Sequence, residues 1–297
     1  MSGMRVVPEE SQKFVISVRQ LAKLFADQQG RPVRVLDDIT FDVYPGETLV
    51  VMGGSGCGKS TLLNCLIGEL RPEEGGIFYQ TRVMPQPINI LDAREEQLNE
   101  VRKRFGILFQ SGALFNSMTV AENIALPLKE HSYVDPSIID IVVTLKLQQV
   151  HMLPHRDKMP AQLSGGQKKR AGLARATALD PEILFYDEPS AGLDPVTSAA
   201  IDELIIDLSK KLSVTSVVVT HEMDSAFRIA DRMVMLDRGR VLRIGPRGEF
   251  ERIRDTAPER LADEDERLIH QFLNGKTEGP LTDAAGMSEY EKWIVTG

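Results

Sequence analysis

The sequence predicts an α/β protein built on a mostly parallel sheet. Three observations carry this reading. Short apolar runs without polar alternation, "TLVVMG" (48–53), "FGILFQ" (105–110) and "ILFY" (183–186), read as strands buried on both faces. Amphipathic helical patterns stand between such runs, as in repeated βαβ units. A glycine-rich loop at 53–61 joins one of these strands directly to an apolar helix.

The elements follow in order. "FVISVRQLAKLF" (14–25) alternates and reads as an edge strand. "DQQGRP" is a turn, and "VRVLDDITFDVY" is a second strand region stopped by "PGE" at 45–47. After "TLVVMG" and the glycine loop, "STLLNCLIGEL" is a helix and "GGIFYQ" a strand. "AREEQLNEVRKR" has the pattern of a solvated helix before the buried strand "FGILFQ". From about 113 the pattern turns helical, through "TVAENIALPLKE" and "SIIDIVVTLKLQQV" to "LSGGQKKRAGLARA" (163–176). "EILFYDEP" is a strand ending in acids, and "VTSAAIDELIIDLSKKL" an amphipathic helix. "VTSVVVTHE" is another buried strand and "DSAFRIA" a short helix. "RMVMLDRGRVLRIG" is a hairpin turning at Asp237–Gly239. Beyond about 246 the chain reads as charged and loop-rich. No internal repeat is present, so one nucleotide cassette is expected rather than two.

Composition narrows the function. The 297 residues are 42% hydrophobic and 26% charged, the balance of an ordinary globular chain with a real core. A net charge of −8 gives no overall field for nucleic acid or an anionic membrane, and no nucleic-acid partner is expected. Cys57 and Cys65 are too few for a disulfide framework and fit a reducing cytosol. No apolar run approaches the ~18–20 residues of a membrane span, and "MSGMRVVPEESQ" lacks a signal-peptide core. Work at a membrane would therefore go through a partner.

The chemistry sits in a few motifs. "GGSGCGKST" (53–61) is G-x-x-x-x-G-K-S in the strand–loop–helix context of a P-loop. Gly53, Gly54, Ser55, Gly56, Cys57 and Gly58 form the bend whose N–H groups point at phosphate oxygens. Lys59 is placed to neutralise the β- and γ-phosphates, Ser60 offers a hydroxyl to Mg²⁺, and Thr61 continues the helix start. "ILFYDE" ends in Asp187, a candidate Mg²⁺ ligand through water, and Glu188, a candidate general base on the attacking water. His221 ends "VVVTH" and could reach the γ-phosphate. His131, His151, His155 and His270 lack such placement. Gln110 can touch Mg²⁺ or the attacking water from the end of its strand, though taken alone it reads as an ordinary strand-end polar residue. Leu163–Gln167 open a helix, a second anion-binding N-terminus in a chain that already has a phosphate loop. Lys168, Lys169 and Arg170 read as its solvated basic face.

In this order, "GGSGCGKST", Gln110, "LSGGQ", "LFYDEPSAGLD" and His221 resemble the nucleotide-binding domain of ABC transporters over about residues 14–245. The resemblance implies a P-loop NTPase fold of the ABC class: a RecA-like parallel core, an antiparallel β subdomain and an inserted helical subdomain at about 113–178. The ATPase domain would span 14–246 and a C-terminal extension 247–297. ATP and Mg²⁺ are the implied ligands. The resemblance makes Ser164, Gly165, Gly166 and Gln167 a cap on ATP bound by a second copy, and Ser190–Asp194 a loop passing between the two sites. It makes Phe25 the adenine-stacking aromatic.

A narrower resemblance lies in "FGILFQSGALFNSMTVAENIALPLKEH", "DEPSAGLDPVTSAAIDELI" and "DERLIHQFLNGKTEGPL" (265–281). These are similar to the ATPase subunit of MCE-type lipid transporters, the maintenance-of-lipid-asymmetry and related systems. That implies a homodimer powering lipid transport, phospholipid above all, from the cytoplasmic face of the inner membrane. A membrane-embedded permease and an MCE-domain protein would be its partners. The apolar "GALFNSM" (112–118) would then line a groove for the permease, or else be subdomain core. Separately from the resemblance, the tail ending "SEYEKWIVTG" reads either as an unordered terminus, the usual outcome, or as a segment whose Tyr290, Trp293 and Ile294 dock on the partner protomer. Rivals are an ATPase for another cargo, such as amino acids, ions or lipoproteins, a soluble ABC ATPase of translation or repair, and a non-hydrolysing ATP switch. One cassette and about fifty residues between Gln110 and "LSGGQ" argue against the translation and repair types. Intact Lys59 and Glu188 argue against the switch.

Overall fold

The computed structural model describes residues 14–275 except Tyr133. In chain order the elements are β1 (Ile16–Ala26), β2 (Pro32–Val43), β3 (Thr48–Gly53), α1 (Lys59–Leu66), β4 (Glu74–Tyr79), β5 (Ile88–Asn89), α2 (Glu95–Arg102) and β6 (Phe105–Leu108). Then come α3 (Val120–His131), α4 (Pro136–Gln149), α5 (Gly165–Ala176), β7 (Ile183–Asp187), α6 (Pro195–Leu212), β8 (Thr215–Val219) and α7 (Met223–Ile229). The last are β9 (Arg232–Asp237), β10 (Arg240–Pro246), α8 (Arg247–Asp255) and α9 (Glu264–Leu273).

Two sheets form. The first, ordered β2-β1-β4-β5, is antiparallel throughout. The second is ordered β10-β9-β3-β8-β7-β6. Its pairs β9–β3, β3–β8, β8–β7 and β7–β6 are parallel, and only the β9–β10 hairpin is antiparallel. Successive residues of a strand face opposite ways, so β3 feeds two cores. Val50 and Met52 join the cluster under α3–α9, whereas Leu49 and Val51 join the cluster with α1 and the antiparallel sheet. A strand covered on both faces has no polar alternation, which is why "TLVVMG" reads as it does.

Three expectations are corrected. β1 is not an edge strand, because β2 and β4 flank it on both sides. Alternation reports which face is buried and carries no information about hydrogen-bonded neighbours. A bulge marks its middle, where Gln20 takes a φ of 47° and its N–H donates to Thr40 Oγ1 at 2.9 Å. Second, residues 247–275 are not loop-rich but fold largely into α8 and α9. Phe250 and Ile253, then Ile269 and Leu273, have helical spacing and enter the core, leaving the charges outside. Third, the two-residue β5 stands where no strand was expected. Tyr290, Trp293 and Ile294 lie outside the described residues. Among the described residues no helix is long and apolar enough to cross a membrane.

Candidate nucleotide site

The P-loop leaves β3 at Gly53, which adopts a φ of 151°. A side chain there would come within 2.3 Å of the Leu236 carbonyl of β9. Gly58, at a φ of 107°, is the N-cap of α1, and no side chain caps that helix. Its first-turn amides therefore have the arrangement that an anion completes. Lys59 is 8% exposed, and its Nζ donates to the carbonyls of Gly53 and Gly54, each at 2.8 Å. Cys57 is buried in the loop, while Ser55 and Ser60 are exposed, and Gly54, Gly56 and Thr61 are half-buried.

The carboxyl ends of the neighbouring parallel strands bring the other polar groups to the same sheet edge. β8 lies between β3 and β7, with Val219 opposite both Val51 and Asp187. Asp187 ends β7 half-buried. Burial raises its carboxyl above the ordinary range and the Glu188 charge adds to this, while Lys169 and Lys59 pull it down. Glu188 turns into the left-handed region, with a φ of 47°, and its N–H donates to Val219 O at 2.9 Å. This turn aims its carboxylate along the edge toward His221. His221 Nδ1 lies 2.8 Å from Glu188 Oε1, and the His221 N–H donates to Oε2 at 3.3 Å. Gln110 is exposed two residues past β6, at the outer parallel strand of the same edge.

Ser164 and Gln167 are placed differently. They form a capping box at the start of α5: Gln167 N–H donates to Ser164 Oγ at 3.3 Å, and Ser164 N–H donates to Gln167 Oε1 at 3.0 Å. The S-x-x-Q spacing signals this box in the sequence. Among the described residues, no hydrogen bond joins Ser164 or Gln167 to the P-loop. Ser164 and Gly165 are exposed, and Gly166 is buried, where a Cβ would meet Thr197 Cγ2 at 2.6 Å. Asp194 caps α6, accepting from the N–H groups of Val196 and Thr197 at 3.1 Å each. The Thr197 hydrogen bonds hold its carboxyl below the ordinary range. Phe25, next to last in β1, is 40% exposed, and the Lys23 ammonium stands 5.2 Å from its ring centre.

The basic run after the glycines is not a solvated face. Lys169 is 5% exposed, Arg170 donates to Val150 O at 3.3 Å, and Lys168 is half-buried. Helical periodicity places Lys169 on the inner face beside Gly166 and Gly172, but a lysine in a basic run carries no sign of burial by itself. His155 also went unmarked in the sequence. Its Nε2 lies 3.2 Å from Gln167 Nε2, a long-range contact that no spacing announces.

The arrangement suits a nucleoside triphosphate: a glycine cradle, an uncapped helix start and a lysine, with a histidine past the end of the neighbouring strand β8 and carboxylates at the end of β7 beyond it. Ser60, Gln110 and Asp187 supply a few oxygen donors, the set that Mg²⁺ takes when phosphates and water complete its shell.

Comparison with known proteins agrees with this chemistry. The ABC transporter family matches residues 36–191. A probable ribonucleotide transport ATP-binding protein of Mycobacterium leprae is 41% identical over 274 residues, covering 92% of this chain and 72% of that protein. The intermembrane phospholipid transport system ATP-binding protein MlaF of Haemophilus influenzae is 38% identical, over 87% of this chain and 91% of that one. Its Escherichia coli counterpart is 35% identical, over 89% and 91%. A dimeric ATP-binding cassette solved in a post-hydrolysis state with ADP and Pi matches with a TM-score of 0.70 and 28% identity, over 78% of this chain and 98% of its own. The chain belongs to the ABC transporter family of ATP-binding cassettes and is an ATP hydrolase.

Proposed function

We propose that this chain is the ATP-hydrolysing subunit of a membrane transporter for phospholipid or a related lipid, acting as a homodimer that ATP closes. One observation carries the dimer. Lys59, Asp187, Glu188 and His221 share one sheet edge, while Ser164 and Gly165 present an exposed glycine-bearing helix start that is not hydrogen-bonded to it. Each chain thus holds a phosphate site and a separate cap. The solved dimeric relative, bound to ADP and Pi, supports pairing the cap of one copy with the site of another.

In this reading Lys59 leaves the loop carbonyls for the β- and γ-phosphates as the P-loop amides and α1 take the anion. Ser60, Gln110 and Asp187 hold Mg²⁺, which when bound neutralises phosphate charge. Glu188 accepts the proton of the attacking water, and His221 orients the Glu188 carboxylate and contacts the γ-phosphate. Phe25 supports the adenine. Ser164, Gly165, Gly166 and Gln167 cap the partner's nucleotide, and Asp194 fixes the loop that passes between the sites. The chain's contribution is positioning and charge neutralisation.

A cleft of about 590 Å³ is lined by apolar residues such as Phe105, Phe109 and Pro127 and by Arg102, Lys103 and Arg175, and the Arg175 guanidinium stands 5.9 Å from the ring centre of the exposed Phe115. It supports docking of a permease segment, with the chain peripheral on the cytoplasmic face of the inner membrane and an MCE-domain protein as the further partner. The lipid cargo is preferred to the ribonucleotide cargo named for the mycobacterial relative. The chain spans 91% of the MlaF proteins against 72% of that one. Mass spectrometry of the assembly purified from its own membrane tests this. It should find a permease, an MCE-domain protein and co-purifying phospholipid. A periplasmic amino-acid-binding protein in their place overturns the lipid reading.

A further inference from the structure

Lys169 is a buried cation without a counter-charge in contact. Among the described residues, no carboxylate lies within ion-pair distance of its ammonium. Nζ instead donates to the carbonyls of Glu188, at 3.0 Å, and Ala191, at 2.9 Å. Burial pushes the amine down from its ordinary range, and the charges of Glu222, Glu188 and Asp187 push it back up. A buried ammonium is costly, so its position calls for a reason.

The geometry supplies one. The two carbonyls belong to one tight turn, closed by the Ala191 N–H donating to Glu188 O at 3.3 Å. Glu188 is held there in a left-handed conformation that a non-glycine residue does not prefer. A cation placed between convergent carbonyl dipoles stabilises that turn. The turn in turn points the Glu188 carboxylate at His221. Ser164, the N-cap of the same helix, lies five residues earlier. α5 is closely packed on both sides of Lys169: Gly166 lies against Thr197, and Gly172 against the Gly112 backbone.

We propose that Lys169 is a positioning residue for hydrolysis. It ties the cap helix α5 to the peptide of Glu188, so that seating of Ser164–Gly166 on one nucleotide sets the general base of the same chain for the other. This rests on the dimer and on the base assignment proposed above. It links the two sites of the dimer through a single side chain, in addition to any contact across the interface.

Lys169→Met keeps the length and burial of the side chain and removes the donors and charge. Lys169→Gln keeps N–H donors. In full-length protein, Lys169→Met should lower kcat by about tenfold or more with KM for ATP within about twofold. Its Hill coefficient for ATP should fall toward one, and Lys169→Gln should recover part of both losses. Should Lys169→Met fail to fold, Lys169→Gln carries the test with smaller drops in both kcat and the Hill coefficient. Unchanged kcat and cooperativity in a folded variant overturn the inference, as does a loss confined to KM. ATP-dependent dimerisation of Glu188→Gln protein separates the two levels. If that protein stays monomeric, the dimer reading fails. If it dimerises and Lys169→Met still hydrolyses ATP normally, only the role of Lys169 fails.

Discussion

His221 Nδ1 stands 2.8 Å from Glu188 Oε1, across the ends of two adjacent parallel strands. The contact is set by backbone. Glu188 follows β7 directly, His221 lies two residues past β8, and the His221 amide donates to the second carboxylate oxygen. A carboxylate gripped by both a ring nitrogen and an amide has one orientation, as a base that must meet a water in line requires.

Replacing Glu188 by Gln keeps the shape and removes the basicity. Hydrolysis should fall by about a hundredfold or more. ATP-bound dimer should accumulate, read by sedimentation with ATP and Mg²⁺. Full phosphate release by the variant would sink the base assignment. Lys59→Ala should instead abolish nucleotide binding or turnover, measured by titration with a fluorescent ATP analogue.

Gly166→Ala places a methyl 2.6 Å from Thr197 Cγ2. The overpacking should destabilise the chain by about 1–3 kcal/mol and displace the start of α5. Thr197→Ala removes the opposing methyl, so the double variant should regain most of the stability in thermal unfolding. Equal losses in the single and double variants would show that this contact is not the cause.

Both thiols should react slowly in the folded chain. Cys65 is fully buried with its thiol pushed up to about 12 by burial, and burial raises the Cys57 thiol as well. Colour development with a disulfide reagent at neutral pH should wait on unfolding by guanidinium. Immediate titration of two thiols in native protein contradicts the burial.

The C-terminal helices carry a pH-dependent tie. The Arg252 guanidinium donates to Glu266, whose second oxygen accepts from the Ala262 N–H at 2.9 Å. These bonds hold the Glu266 carboxyl below its ordinary range, Arg252 being the larger cause. A depressed carboxyl stabilises the fold above the unfolded value of about 4.3, and that contribution disappears as pH falls through the folded value. Arg252→Met should therefore lower the melting temperature at pH 7, and the gap to the parent should narrow as pH falls below about 4. A gap that stays constant into acid rules out the Glu266 tie.

Much of the local geometry of the candidate nucleotide site was legible because it is set within short stretches of chain. Gly53, Gly58 and Lys59 lie within one loop, and the S-x-x-Q of Ser164 and Gln167 is a capping box within one turn. Lys169 and His155 were not legible. One looks like any lysine in a basic run, and the other acquires its partner only when the 3₁₀ turn at Leu153–His155 packs on α5. The C-terminal helices were hidden by their outer faces, where charge outnumbers the four apolar residues that reach the core.

By itself the sequence determined the strands other than β5, the phosphate loop, the paired acids and the glycine-bearing start of α5, since each is a pattern within a few neighbouring residues. The tertiary structure alone decided that β8 separates β3 from β7 and that β1 has neighbours on both sides. It also decided that Lys169 points inward at the peptide of Glu188. Side-chain periodicity records which face of a strand or helix is buried. Which strand bonds to which, and which carbonyls a buried ammonium finds, depends on contacts between distant parts of the chain that exist only once the sheets and helices have packed.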